Sequence, residues 1–446
     1  MSRHLTNAVC GALDYASYPL GMLLVAPVVL HRLGAAEYGL WMITTAIISA
    51  GGIIASGFCD ASIQRVAQLR GAGDSERISE TVRSTMGINL ALGTAMAAVM
   101  WIAAPWVALH IAAAPLMPSR ECLVAVRVAS VAILLRAVET VGVSTLRAFE
   151  DYRNTVQIST ATRLLTLVTA AVLALLGQRT VSILLATAAF LFLGAWMQLR
   201  QVRKSIGPVS LWPKFHHGEA RLLLGVGFFA WLQALGGVIF GQADRILLGL
   251  SMGAVAVAPY ALCVQFAQPI FGLTASGLHF LFPYLSAQTK QRTAEKFHRL
   301  VVQAFVCNLL LVIFGAVLLL VVGIRLIRLW AGPAVAHSAA GILVPIVAGS
   351  ACIGLGVTGT YAMQALGLFR TVALISLAGH SAMLFVMLFL LHHDGLRGLA
   401  FSRLGYGAVA LIVYLPLFAR LIGRTREAAL AAGPTARYEL QEGWKL

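Results

Sequence analysis

Several charged side chains lie inside long apolar stretches of this sequence. Arg136 and Glu139 fall near the middle of one stretch, and their i, i+3 spacing puts them on one face of a helix, where they can pair. Charged groups at membrane depth are costly and are functional by default. The planar guanidinium of arginine matches phosphate oxygens. The pair therefore indicates either a site for an anionic ligand or a structural ion pair.

Other charges occupy the same kind of position. Arg127 precedes Arg136 by nine residues, about half a turn round the helix. A cationic cavity for an anionic headgroup has four candidate residues: Arg136, Arg127, Arg163 and Arg403. Candidates for ion coupling or for charge pairing are Glu139, Asp14 and Asp244. For the arginines nearer helix ends, the alternative is that the side chains snorkel to the membrane interface.

Motifs for other chemistries are missing. The sequence contains no GxxxxGK[ST] phosphate loop and no HExxH zinc motif, and its six cysteines are scattered without a CxxC pair. The clusters His216-His217 and His392-His393-Asp394 fall in predicted loops and make weak metal sites. We therefore expect no cofactor, no metal and no enzymatic activity.

The elements that carry these charges are membrane helices. Apolar residues make up 59% of the 446 residues and charged residues only 11%, whereas a soluble domain carries about 25% charged residues. The net charge of +16 lies in short loops between apolar spans, where it orients a membrane protein, so we expect no nucleic-acid partner. Spans of about 20 residues fit one bilayer crossing, and twelve such helices are predicted, near 9–31, 38–58, 86–104, 122–146, 157–176, 180–199, 222–245, 255–284, 299–323, 338–363, 371–391 and 400–420.

The distribution of basic residues predicts the orientation. With the N-terminus inside, the inner connectors and tails hold 22 of the 33 lysines and arginines, and the outer connectors hold seven. This bias predicts that both termini are cytoplasmic. No outer connector is long enough to form a folded domain.

A shift of 219 residues aligns several residues of the two halves, most of them polar or glycine. Gly34 aligns with Gly253 and Asn89 with Asn308, and three further matches are Glu76 with Glu295, Arg77 with Lys296 and Val82 with Val301. Six helices lie in each half, so the repeat is parallel, as in transporters that have two lobes. The predicted domains are an N-terminal lobe (1–205), a cytoplasmic linker (206–221), a C-terminal lobe (222–421) and a cytoplasmic tail (422–446).

Several motifs resemble those of polysaccharide transporters. Residues 33–41 (LGAAEYGLW) are similar to the LGxxxYGxW hallmark of that family, and an inner loop with Arg65 and Gly73-Asp74 follows. Residues 146–154, 243–249 and 329–332 resemble its later helix junctions. The family is the O-antigen flippase (Wzx-type) branch of the multidrug/oligosaccharidyl-lipid/polysaccharide (MOP) exporter superfamily.

This resemblance implies a fold and a function. The expected fold is all-α and polytopic, with about twelve transmembrane helices in two six-helix lobes, as in MATE proteins. The implied function is to flip an undecaprenyl-diphosphate-linked oligosaccharide, an O-antigen or exopolysaccharide repeat unit, across the bacterial inner membrane. Implied partners are this substrate, membrane lipid, a polysaccharide polymerase and a chain-length regulator. Family members use cationic cavity residues at varying positions, so the resemblance carries over only Arg136.

Other functions stay open at this stage. A multidrug or cation antiporter of the MATE type would need an acidic, aromatic cavity, which the intramembrane arginines disfavour. A lipid II flippase would carry extra helices. A membrane glycosyltransferase or polysaccharide polymerase would need a larger outer loop.

Overall fold

The protein is a bundle of long helices. The computed structural model describes residues 3–112, 118–207, 211–278 and 294–420, and this part of the chain contains no strand. Its helices are α1 (Arg3–Ala55), α2 (Cys59–Ala72), α3 (Ser75–Ile111), α4 (Ser119–Ala148), α5 (Tyr152–Leu175), α6 (Thr180–Ile206), α7 (His217–Gly277), α8 (Ala294–Ala340), α9 (Leu343–Ala365) and α10 (Phe369–Ile412). Residues 414–420 are again helical.

Four of the long helices bend sharply at a glycine. The bends are at Gly34 in α1, Gly253 in α7, Gly332 in α8 and Gly395 in α10, and each glycine has a positive φ. A residue with a β-carbon rarely adopts this conformation. Each bend therefore divides one continuous helix into two segments that run in different directions.

Eight helical segments in the described residues are long and apolar enough to cross a membrane. Dividing three of them at Gly34, Gly253 and Gly395, and adding α4, gives the twelve crossings that the sequence predicted. Helix α4 is not among the eight, and it carries six charged residues. It packs on α1, α2, α3, α5 and α6, and these neighbours shield its polar face from lipid. The protein is therefore a multi-pass membrane protein with the predicted all-α fold.

The first predicted inner connector is mostly helical, which corrects the predicted helix ends. Helix α2 occupies much of residues 59–85, and α3 begins at Ser75 rather than near residue 86. Gly73 ends α2 with a φ of 73°, and the Asp74 side chain caps α3 by accepting a hydrogen bond from the Arg77 backbone N–H at 3.1 Å. The hydropathy pattern missed these turns because they are amphipathic rather than apolar.

The chain forms two compact units. The first comprises Met1–Phe266, Ile324–Ile342 and Leu384–Leu399, and the second comprises Ala267–Gly323, Leu343–Met383 and Ala400–Leu446. The lobe boundaries drawn from the sequence, at 205 and 222, remain a prediction.

Residues 219 apart have the same local structure. Gly34 has φ/ψ of 84°/173° and Gly253 has 78°/174°. Asn89 on α3 donates to the Ala137 carbonyl on α4 at 3.4 Å, and Asn308 on α8 donates to the Gly354 carbonyl on α9 at 2.9 Å. In both cases the amide joins the third membrane crossing of that half to its fourth, when the helices that bend at Gly34 and Gly253 are each counted as two crossings.

The hydrophobic cores repeat in the same way. Ile78 and Val82 lie in a buried cluster of the first unit, and Phe297 and Val301, each 219 residues later, lie in a buried cluster of the second. Both halves therefore have a glycine bend, an interhelical hydrogen bond and buried core residues at matching positions, as expected for a parallel repeat.

Candidate functional site

Arg136 and Glu139 form the predicted ion pair on α4. The Arg136 Nη1 donates to Oε2 of Glu139 at 2.6 Å. The Glu139 side chain is 3% exposed, whereas that of Arg136 is 32% exposed. Helix α4 is about 45 Å long at 1.5 Å per residue, and the pair lies near its middle. The carboxylate is thus enclosed by protein, and the guanidinium lies at the open side of the pair.

Small residues on neighbouring helices make room for the pair. A β-carbon at Gly52 of α1 would lie 2.7 Å from Cγ of Arg136, and one at Gly194 of α6 would lie 3.3 Å from Oε1 of Glu139. Thr162 of α5 lies against Gly194 as well. The pair is therefore enclosed by α1, α5 and α6, within the N-terminal six helices.

Arg127 does not join this pair. Its guanidinium stacks over the ring of Trp101 on α3, with Cζ 5.0 Å from the ring centroid, and its buried Nε has no hydrogen-bond partner among the described residues. Trp101 is itself exposed. Arg127 therefore lies on the side of α4 that faces α3, half a turn from Arg136, and its role in a cationic cavity stays a prediction.

The other two candidate arginines are not brought to the pair by any described contact. Arg163 follows Thr162 on α5 and is half-buried, whereas Arg403 is buried in the second unit with its backbone against Gly349. Both interact with other groups. The candidate Asp14 is on α1, but its side chain lies outside the described residues.

Asp244 is held by groups that the sequence analysis overlooked. It is 1% exposed and accepts hydrogen bonds from the Tyr260 hydroxyl at 2.7 Å and from the Arg245 backbone N–H at 2.8 Å. Tyr260 is fully buried and lies beyond the Gly253 bend. This bond therefore joins the two segments of α7, and it gives Asp244 a structural contact in addition to its candidacy for ion coupling.

The hallmark segment 33–41 holds helix ends together. Glu37 accepts from Arg179 Nε at 3.0 Å and from the Thr180 backbone N–H at 2.9 Å, at the start of α6. A carboxylate at a helix N-terminus is favourable because it satisfies unpaired N–H groups. Arg179 also pairs with Glu121 at the start of α4. One glutamate and one arginine thus fix the starts of two helices.

The same segment contacts the second part of α7. The Tyr38 hydroxyl donates to Gln265 at 3.1 Å. A β-carbon at Gly39 would lie 1.7 Å from the carbonyl oxygen of Ala254, so the two backbones touch there. Only glycine permits such an approach.

At its other end, α7 is attached to α2 and α3. Arg65 donates to both carboxylate oxygens of Glu219, at 2.9 and 2.6 Å, and the Thr81 hydroxyl donates to the same carboxylate at 3.1 Å. The hydrogen bond from Arg65 lowers the pKa of Glu219, and the same bond raises the pKa of Arg65. This partly buried, bidentate pair is a charge-assisted contact between the start of α7 and the preceding helices.

The comparisons with known proteins support the resemblance seen in the motifs. The structure is similar to an inward-facing multidrug resistance MATE family transporter of the MOP superfamily, with a TM-score of 0.72 and 16% identity over 93% of this chain and 99% of that one. It is also similar to the lipid II flippase MurJ in an inward closed conformation, with a TM-score of 0.73 and 12% identity over 93% and 87% of the two chains. At these identities the likeness shows the fold. No curated protein matches the sequence.

The family assignment rests on the sequence itself. Residues 29–334 match the family described as polysaccharide biosynthesis protein, which is more than half of the chain. That span includes the hallmark segment and the Arg136–Glu139 pair. This chain is therefore a member of the polysaccharide biosynthesis protein family and has the fold of the MOP-superfamily transporters.

Proposed function

We propose that this protein is a flippase that moves an undecaprenyl-diphosphate-linked oligosaccharide from the inner to the outer leaflet of a bacterial plasma membrane. The family match and the MOP fold support transport in polysaccharide biosynthesis. The observation that carries the proposal is the half-exposed Arg136 held near the middle of a membrane helix by the buried Glu139. An anionic headgroup needs such a cation to enter the membrane interior.

The pair gives a simple binding step. Glu139 holds one edge of the Arg136 guanidinium, which has five N–H donors. The diphosphate binds at the exposed side of Arg136 while the polyprenyl tail stays in lipid. Glu139 neutralises part of the positive charge of Arg136. The affinity of Arg136 for the diphosphate is therefore moderate, so that the headgroup can bind and can also be released.

Transport follows from alternating access. The two halves of a parallel-repeat transporter rock around the bound ligand and expose it first to one side and then to the other. In this proposal both termini lie in the cytoplasm. An ion gradient supplies the energy, and Glu139 and Asp244 are candidate carriers of the coupling ion. A polymerase and a chain-length regulator would use the delivered repeat units.

One alternative function has an observation in its favour. The similarity to a MATE family transporter favours a multidrug or cation antiporter, in which Glu139 would bind a cationic drug. The partly exposed Arg136 beside Glu139 would repel a cationic drug, which favours the anionic substrate. Drug susceptibility of a deletion strain distinguishes the two functions.

A deletion-and-rescue experiment tests the proposal in the host. We expect the deletion strain to accumulate lipid-linked oligosaccharide in the inner leaflet and to lose surface polysaccharide. Wild type and the control Arg200→Ala, an exposed arginine that stacks on Trp196, restore both, and Arg136→Ala restores neither. Normal surface polysaccharide in the deletion strain, without accumulation, would refute the proposed function. Full rescue by Arg136→Ala at normal protein levels would refute the role of Arg136.

A further inference from the structure

Two polar side chains on α7 have buried atoms without hydrogen-bond partners. These atoms are Oε1 of Gln242 and Nε of Arg245, which find no partner among the described residues. The two residues are three apart, so they lie on one face of the helix. An unpaired acceptor and an unpaired donor side by side are costly unless a ligand satisfies both.

The neighbouring carboxylate does not satisfy Arg245. Asp244 accepts the Tyr260 hydroxyl and the backbone N–H of Arg245, and no ion pair joins it to the Arg245 guanidinium in the described part of the chain. Consecutive helical residues point about 100° apart. Asp244 is thus directed to the second part of α7, and Arg245 to a different side.

Two contacts between α7 and α1 identify the face of α7 on which Arg245 lies. Trp231 stacks on Phe58 and donates its Nε1–H to the Ile54 carbonyl of α1 at 2.9 Å. A β-carbon at Gly249 would lie 2.5 Å from Cδ1 of Ile43, also on α1. Trp231 and Gly249 are eighteen residues apart, which is five helical turns, so both contacts use one face of α7.

Gln242 and Arg245 lie on that face, between the two contacts. They precede Gly249 by seven and four residues, two turns and one turn. Gly241 lies one turn before Arg245, about 40° round the helix from it, and a β-carbon there would meet nothing within 4 Å. The face is thus packed against α1 at Trp231 and at Gly249, and unfilled space adjoins Arg245 at Gly241.

We infer that Gln242 and Arg245 form a second polar subsite that binds a glycosyl phosphate, with Arg245 on a phosphate oxygen and Gln242 on an adjacent sugar hydroxyl. A glycosyl phosphate supplies the anionic acceptor that arginine needs and the hydroxyl donor that the amide oxygen needs. The inference rests on the proposed function, because it gives a place to one part of the transported headgroup.

This subsite is separate from Arg136. Ile43, which meets α7, and Gly52, which meets Arg136, are nine residues apart on α1 and so point in opposite directions. Variants of Arg136 therefore test the proposed function, and variants of Gln242 and Arg245 test the second subsite.

Binding by the purified full-length protein tests the subsite. The probes are farnesyl-diphosphate-linked N-acetylglucosamine, inorganic pyrophosphate and dioctanoyl phosphatidylglycerol. We expect Arg245→Ala to weaken binding of the sugar-linked probe and of pyrophosphate by about tenfold, the effect of one charge-assisted hydrogen bond. Gln242→Ala should weaken binding of the sugar-linked probe only, and the control Arg200→Ala should change neither.

A stability measurement separates binding from a structural role. Because the buried Nε of Arg245 has no hydrogen-bond partner to lose among the described residues, the ligand-free Arg245→Ala protein should unfold at the wild-type temperature or above it. A lower unfolding temperature with unchanged affinity would show a structural residue and overturn the inference.

The remaining outcomes are also decisive. Wild-type affinity for the sugar-linked probe in both variants overturns the subsite alone. An effect of Arg245→Ala on phosphatidylglycerol only would make the site one for membrane lipid and overturn the inference. If the wild-type protein binds neither the sugar-linked probe nor pyrophosphate, the proposed function fails, and the subsite fails with it.

Discussion

At the scale of single residues, we expect the Arg136–Glu139 pair to contribute to stability as well as to the proposed binding. Glu139 is almost fully buried, and a buried carboxylate without its partner is strongly unfavourable. We expect Arg136→Ala to lower the free energy of unfolding by about 2–4 kcal/mol, and Glu139→Gln to lower it less, because the exposed side of Arg136 can be hydrated. Thermal unfolding in detergent measures both.

A double-mutant cycle isolates the interaction within the pair. The Arg136→Ala, Glu139→Ala double variant should be more stable than the sum of the single effects predicts, because it leaves no unpaired charge. Strictly additive effects would show that the 2.6 Å contact contributes no coupling.

Some of these residues could be predicted from helical spacing alone. The spacing of three placed Arg136 beside Glu139, and the spacing of nine placed Arg127 on the other side of α4, and both are confirmed by contacts. The partners of Asp244 and Glu37 could not be predicted in this way. Tyr260 and Arg179 are distant in sequence or lie beyond a bend, and only the packing of helices brings them together.

At the scale of elements, the attachment of α7 to α2 should depend on pH. The hydrogen bond from Arg65 holds the pKa of Glu219 below its ordinary value of 4.5. The stability from this pair is therefore fully present above that value and is lost as the pH falls through the lower pKa of the folded protein. We expect the wild-type unfolding temperature to fall more steeply below pH 4.5 than that of Glu219→Gln.

Exchanging the charges of Arg65 and Glu219 tests whether their ion pair is the source of this stability. Arg65→Glu or Glu219→Arg alone should destabilise the protein, and the two together should recover part of the loss, because the opposite charges meet again. The same pH dependence in wild type and Glu219→Gln would exclude the pair as its source.

The close contact between α1 and α7 gives a second prediction for an element. Gly39→Ala places a methyl group against the Ala254 backbone, so the helices must separate, and we expect a loss of about 1–3 kcal/mol. Gly71→Ala is the matched control, because a β-carbon there meets nothing within 4 Å on the exposed end of α2. It should be neutral or slightly stabilising. Equal stability of the two variants would contradict the close approach.

Helix ends were the least predictable elements. Apolar runs located the membrane crossings, but α2 and the first turns of α3 are amphipathic, and their apolar residues pack in an internal cluster rather than against lipid. Gly73 and Asp74 are the local signals that mark the break. Read as a helix stop followed by a helix cap, they would have located it.

At the scale of the whole molecule, composition and the repeat predicted most of the fold. The alternation of apolar spans and charged loops predicted twelve crossings. The offset of 219 residues predicted a repeat, and the structure has bends and interhelical hydrogen bonds at the aligned glycines and asparagines. The sequence did not show that each of the two compact units is assembled from three separate stretches of the chain. This arrangement depends on which side chains meet after the helices fold, and a hydropathy pattern carries no such information.

The most direct test of the proposed flippase activity is an assay of lipid flipping by the purified protein. Proteoliposomes carry a lipid-linked N-acetylglucosamine with a fluorescent label on its sugar, and an impermeant quencher reports how much of it is in the outer leaflet. With wild type we expect the protected fraction to become accessible, whereas Arg136→Ala should leave it protected and Arg200→Ala should behave as wild type. A wild-type protein that leaves the label protected, with or without an imposed ion gradient, would contradict the proposal that this protein is a flippase for lipid-linked oligosaccharide.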